Sequence, residues 1–98
     1  MTADGPYVLA VDLGTSGPKA AVVSLAGRIV ATARAHVDTL FLPGHGVEQD
    51  PDAVWQAVKT ACGEAVRQSG VAARDILAVI PSSQYSSVVP LDAAGRPT

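Results

Sequence analysis

Two apolar, β-rich runs in residues 8–23 are separated only by a Gly-Thr-Ser-Gly-Pro turn, and this stretch constrains the fold more than any other. It reads Val8-Leu9-Ala10-Val11-Asp12-Leu13-Gly14-Thr15-Ser16-Gly17-Pro18-Lys19-Ala20-Ala21-Val22-Val23. Val8 to Val11 is nearly all apolar, the pattern of a buried strand. A link this tight makes the next strand antiparallel. Asp12 ends the first run and Lys19 opens the second. A half-desolvated carboxylate at Asp12 needs a partner, and Mg²⁺ suits it because that ion prefers oxygen ligands and keeps most of its waters. Gly14 and Gly17 permit backbone conformations closed to other residues. Successive turn N–H groups can cradle an anion, Thr15 and Ser16 add hydroxyl donors, and Lys19 adds a point charge suited to phosphate. The same residues also suit a plain β-hairpin, and spacing alone does not separate the two readings.

The rest of the chain extends this start. Strands are expected over about Tyr7 to Asp12, Lys19 to Ser24 and Arg28 to Val37, with Leu25-Ala26-Gly27 as the second turn. These make an antiparallel meander. Asp38 to Gln49 reads as a loop. A helix then opens with Asp50 as N-cap, Pro51 at the first helical position and Asp52 in the first turn, and Gly70 ends it. Val54, Val58, Ala61, Cys62, Ala65 and Ser69 form its apolar stripe, and Trp55 beside them reads as core or interface packing. Ile76 to Ile80, apolar throughout, reads as a central strand closed by Pro81. Ser82 to Ser87 is a polar turn, Val88 to Leu91 a short strand, and Asp92 to Gly95 a turn. The order is β-β-β-α-β-β, an α/β class.

Composition narrows the function classes. The 98 residues allow one domain, and 48% hydrophobic with 16% charged residues argues for a folded chain. The net charge of −2, with basic residues scattered singly, gives no case for nucleic acid or an anionic membrane. No run reaches transmembrane length, and Met1 to Pro6 has neither the basic nor the apolar region of a signal peptide. A single cysteine, Cys62, permits no internal disulfide and fits a reducing compartment, so the cytoplasm is the expected location. Cys62 on an apolar helix face reads as a small hydrophobe. His36 and His45 have no metal-set neighbours, and the serines at 82, 83, 86 and 87 have no general base nearby.

Three segments together resemble the amino-terminal end of FGGY-type carbohydrate kinases, such as xylulokinase and glycerol kinase. Asp12 to Lys19 is similar to the family's first phosphate motif: Asp, Gly, Thr, then a base seven positions after the acid. Gly46-Val47-Glu48-Gln49-Asp50-Pro51-Asp52-Ala53-Val54-Trp55 is similar to its G-W-V-E-Q-D-P-x-x-W segment. Ile76 to Pro97 is similar to its strand, S-G-Q-M-H-G turn and L-D-x-x-G-x-P ending. The resemblance implies part of a ribonuclease-H-like (actin/hexokinase superfamily) fold. Residues 1–98 would be the amino-terminal part of the family's N-terminal domain, with the remainder of that domain and the C-terminal domain absent. It implies ATP-dependent phosphorylation of a sugar or polyol hydroxyl. Asp12 would hold Mg²⁺ through water, Gly14, Thr15 and Ser16 would meet the phosphates, and Lys19 would counter their charge. Gln84, Tyr85 and Ser86 would contact the substrate. The catalytic base is expected beyond residue 98, so the isolated chain is expected to lack turnover.

The departures concern substrate choice. Ser83 replaces the family's usual Gly, and Tyr85-Ser86 stands where xylulokinases carry Met-His and glycerol kinases Arg-Glu. The Trp between Gly46 and Val47 is missing. A reading from a different class is a non-catalytic, nucleotide-binding or self-associating remnant, a homodimer being its assembled form.

Overall fold

The computed structural model describes residues 5–85 and 87–98. β1 (Tyr7–Gly14), β2 (Gly17–Ser24) and β3 (Ile29–Arg34) form the antiparallel meander that the two tight turns demand. The first turn is shorter than its Gly-rich sequence suggests. Gly14 pairs with Gly17, so only Thr15 and Ser16 lie outside the ladder. Of the two glycines only Gly17 has a positive φ, 138°. A bulge interrupts the β2–β3 register between Val22 and Val23.

Residues 38–49, expected as a loop, contain a small hairpin of β4 (Leu40–Phe41) and β5 (Val47–Glu48). It leads into α1 (Pro51–Ser69), whose start is set as the sequence predicts. The Asp50 carboxylate accepts from the Asp52 N–H at 3.0 Å, and Pro51 sits where a missing N–H costs nothing. Gly70 ends the helix in the left-handed region, φ 69°. A Cβ there would meet no atom within 4 Å. Gly70→Ala is therefore expected to lose about 1 kcal/mol from backbone conformation alone, read as a small drop in melting temperature.

α1 lies across one face of the meander. Alternation puts Tyr7, Leu9 and Val11 of β1 and Ala20 and Val22 of β2 under it, joined by Ala61, Ala65 and Val71. The helix residues buried deepest are Ala57, Ala61 and Ala65, at i, i+4 spacing. Their small side chains let helix and sheet approach closely, while Val58, Cys62 and Val66 flank them. Burial pushes the Cys62 thiol up, which keeps it protonated. Ser69 is a capping residue rather than part of the stripe: its hydroxyl donates to the Val66 carbonyl at 2.6 Å and accepts from the Val71 N–H at 3.0 Å. Trp55 is not in the core. It is exposed, with the Lys59 ammonium 5.6 Å from its ring centre.

Three expectations for the C-terminal third need correction. β6 (Ile76–Ser83) runs parallel to β1, but the sheet order β3-β2-β1-β6 makes it an edge, not a central strand. α1 covers β1 to β3 and leaves Leu77 63% and Val79 61% exposed, and on the opposite face, beside Ser82, Ile80 is 53% exposed. Pro81 does not close the strand, which continues to Ser83; an edge position tolerates its missing N–H. Val88 to Leu91 forms no strand either: among the described residues no strand lies beside it to complete a ladder. It folds on the residues after it: Leu91 bridges Pro97, and the Asp92 carboxylate accepts from the N–H groups of Ala94 (2.8 Å) and Arg96 (2.9 Å). Among the described residues the architecture is thus α/β, a four-stranded mixed sheet and the small β4–β5 hairpin with one α-helix. Among the described residues no helix is long and apolar enough to cross a membrane.

Candidate functional site

Strand alternation brings four polar side chains to the sheet face away from α1. Val11 faces the core, so Asp12 faces away. The register then sets Ser82 of β6 beside Asp12, Asp12 opposite Lys19, and Lys19 opposite Arg34. The row Ser82–Asp12–Lys19–Arg34 crosses all four strands near the carboxyl ends of β1 and β6, the end of a parallel pair at which α/β sheets bind ligands. The Ser82 hydroxyl donates to Asp12 Oδ1 at 3.3 Å. An open cleft of about 590 Å³ lies over the row, lined by Asp12, Gly14, Ser16, Lys19, Arg34 and His36, with Gly17 and Ala35.

The cleft's charge favours an anion. One carboxylate faces two cations, and like charges directly opposite on neighbouring strands repel. Among the described residues neither Lys19 nor Arg34 is in an ion pair. A phosphate between them would relieve the repulsion. Among the described residues Asp12 is the only carboxylate lining the cleft, and no cluster of three metal-ligating side chains occurs. This donor set does not fit an all-protein metal cage. It does fit Mg²⁺, which usually needs one or two carboxylates and takes its other oxygens from water and phosphate.

The turn that closes the cleft is held on both sides. The Ser16 carbonyl accepts from the Val37 N–H at 3.0 Å, and the Pro18 carbonyl from the Ala35 N–H at 3.1 Å. The Thr15 carbonyl accepts from Gln49 Nε2 at 2.7 Å. Thr15 therefore stands at the turn tip, outside the cleft lining that holds Gly14, Ser16 and Lys19. Gln84 and Tyr85 belong to the turn after β6 and do not line the cleft. Gln84 is half-buried and donates to Gln49 Oε1 at 3.4 Å; Tyr85 is 96% exposed. Ser86 lies outside the described residues.

Sequence reasoning passed over three members of this arrangement. Ser82 reads in the sequence as part of a polar turn with no general base nearby, and Gln49 as part of a segment leading into the helix. Arg34 had no role, although the Arg34-Ala35-His36 alternation carried a signal that these polar side chains share one face.

Comparison with known proteins identifies the family. Residues 7–98 match the model of the FGGY family of carbohydrate kinases, N-terminal domain. A xylulose kinase of Streptomyces coelicolor is 43% identical over 96 residues, covering 97% of this chain and 19% of the relative. A glycerol kinase of Allorhizobium ampelinum is 35% identical over 94 residues, covering 95% and 19%. The crystal structure of a xylulose kinase from Brucella ovis superposes with a TM-score of 0.82 at 32% identity, covering 93% of this chain and 19% of that one. The chain thus spans about a fifth of the length of the proteins it matches. The match over residues 7–98 shows that the chain belongs to the FGGY family of carbohydrate kinases, carrying sequence of that family's N-terminal domain.

Proposed function

We propose that residues 1–98 form the opening part of a cytoplasmic carbohydrate kinase that transfers the γ-phosphoryl group of ATP to a hydroxyl of a sugar or polyol. The observation that carries this reading is the registered row of Asp12, Lys19 and Arg34 beneath an open cleft. In this reading the fold is the start of a ribonuclease-H-like domain. Lys19 and Arg34 bind phosphate oxygens, Ser16 offers a hydroxyl donor, and Asp12 holds a nucleotide-borne Mg²⁺ through water, oriented by Ser82. That ion's part is to neutralise charge on the transferring phosphoryl group. Gln84, Tyr85 and Ser86 meet the substrate, with xylulose and glycerol as the first compounds to try, since kinases named for each are similar to this chain. None of residues 1–98 is assigned as the base that takes the hydroxyl proton, so turnover by this chain alone is not expected.

The test is an amide NMR titration with Mg²⁺-ADP. Shifts gathered at residues 14–19 and at Arg34 support the reading, and a folded spectrum that does not respond would sink it. Arg34→Ala is expected to weaken binding about tenfold, with Arg34→Lys recovering part of the loss, because a lysine restores the charge but not the two-pronged contact. Affinity unchanged from the parent in both variants would remove Arg34 from the site. The exposed apolar side chains of β6 favour a second reading, self-association through that edge. A dimer mass by light scattering, with no nucleotide response, is its signature.

A further inference from the structure

We propose that Gln49 is a positioning residue that straps the phosphate turn to the substrate turn, so that occupancy of one is felt at the other. This rests on the reading of those turns given above. The contacts themselves are independent of it. Gln49 Nε2 donates to the Thr15 carbonyl at 2.7 Å, and its Oε1 accepts from Gln84 Nε2 at 3.4 Å. One amide thus spans sequence separations of 34 and 35 residues.

Chemistry fixes which way this amide points. A backbone carbonyl can only accept, so Gln49 must turn its NH₂ to Thr15 and its oxygen to Gln84. Gln84 must then donate, which leaves its own carbonyl oxygen to accept from a substrate hydroxyl. The strap is anchored at its base, because the next residue, Asp50, is the N-cap of α1 and Pro51 fixes the helix entry. The two links differ in strength. The Thr15 bond is short, while the Gln84 bond is near the outer limit of hydrogen-bond length. A small displacement of the phosphate turn is therefore enough to make or break the contact at Gln84.

Two variants separate the links. Gln49→Met keeps the length and loses both bonds. Gln49→Glu keeps the shape and the acceptor for Gln84 but has no donor for Thr15. The Ser16 amide proton is the reporter, since it shares a peptide group with the Thr15 carbonyl and is polarised by a bond to it. In ligand-free protein, both variants should move the Ser16 amide upfield, while the Gln84 side-chain NH₂ should move upfield in Gln49→Met, which has no acceptor, and not in Gln49→Glu, whose carboxylate is the stronger acceptor. On addition of Mg²⁺-ADP, the Gln84 NH₂ should respond in the parent and lose that response in Gln49→Met, while residues 14–19 still shift. A Ser16 amide unmoved by either variant overturns the strap, as does a Gln84 response that survives Gln49→Met. If residues 14–19 of the parent ignore Mg²⁺-ADP, the nucleotide reading fails, and the strap is then decided by the ligand-free spectra alone.

Discussion

Gly17→Ala is expected to destabilise the fold by about 3 kcal/mol or more, enough to melt a small domain near room temperature. Two costs combine. The φ of 138° is one that side chains rarely adopt, and a Cβ built there falls 1.9 Å from the Ala35 carbonyl oxygen and 2.9 Å from its carbon. Both are backbone atoms, so no rotamer change relieves the clash. Residues 35–37 are tied to the same turn through the Ala35–Pro18 and Val37–Ser16 hydrogen bonds, so moving them away breaks those bonds too. Gly70→Ala is the control. It also places alanine at a positive φ, but in open space. Urea melts of the two variants measure the difference. If Gly17→Ala costs no more than Gly70→Ala, the turn is not packed against residues 35–37, and the cleft loses the wall those residues provide.

The sequence was legible where local chemistry decides the structure. The Asp50–Pro51 start and Gly70 stop of α1 are backbone requirements written in residue types, and the meander follows from two short links. The main failures were of register or partnership. Ser24 pairs with Arg28 across the second turn and Val23 with Ile29. Carried on without interruption, that register would set Lys19 against Ala33 and turn Arg34 toward α1, burying its charge. The bulge admits one extra residue, and Lys19 meets Arg34 instead. Nothing in the local sequence marks that slip; it is selected by which face must hold Ala33 and which can hold Arg34. Partnership explains β6 as well. An apolar strand signals that both faces want cover, but whether cover is present depends on neighbours outside the strand itself. Tyr85 stays an expectation for the same reason, since an exposed side chain is positioned by what it touches and Tyr85 touches little.

Asp12→Asn should reverse the metal dependence of nucleotide binding, and this separates a phosphate site from an ordinary hairpin. Asparagine has the same shape, and its carbonyl oxygen can keep the hydrogen bond from the Ser82 hydroxyl, 3.3 Å in the parent. Only the charge is removed. In the parent, the carboxylate repels a bare diphosphate and attracts one that carries Mg²⁺. Mg²⁺-ADP affinity should therefore fall about 10- to 100-fold in the variant, the range typical when an outer-sphere partner of a metal is lost. ADP in EDTA should bind as well as to the parent or more tightly, because Lys19 and Arg34 then face the phosphates with no opposing charge. Paired titrations with and without Mg²⁺ read both arms. A loss of equal size in the two would mean that Asp12 acts through turn structure, not through a metal. No change in either would leave the row Ser82–Asp12–Lys19–Arg34 as a cross-strand charge ladder with no nucleotide role, since the charge that distinguishes the two ligand forms would have no effect on either.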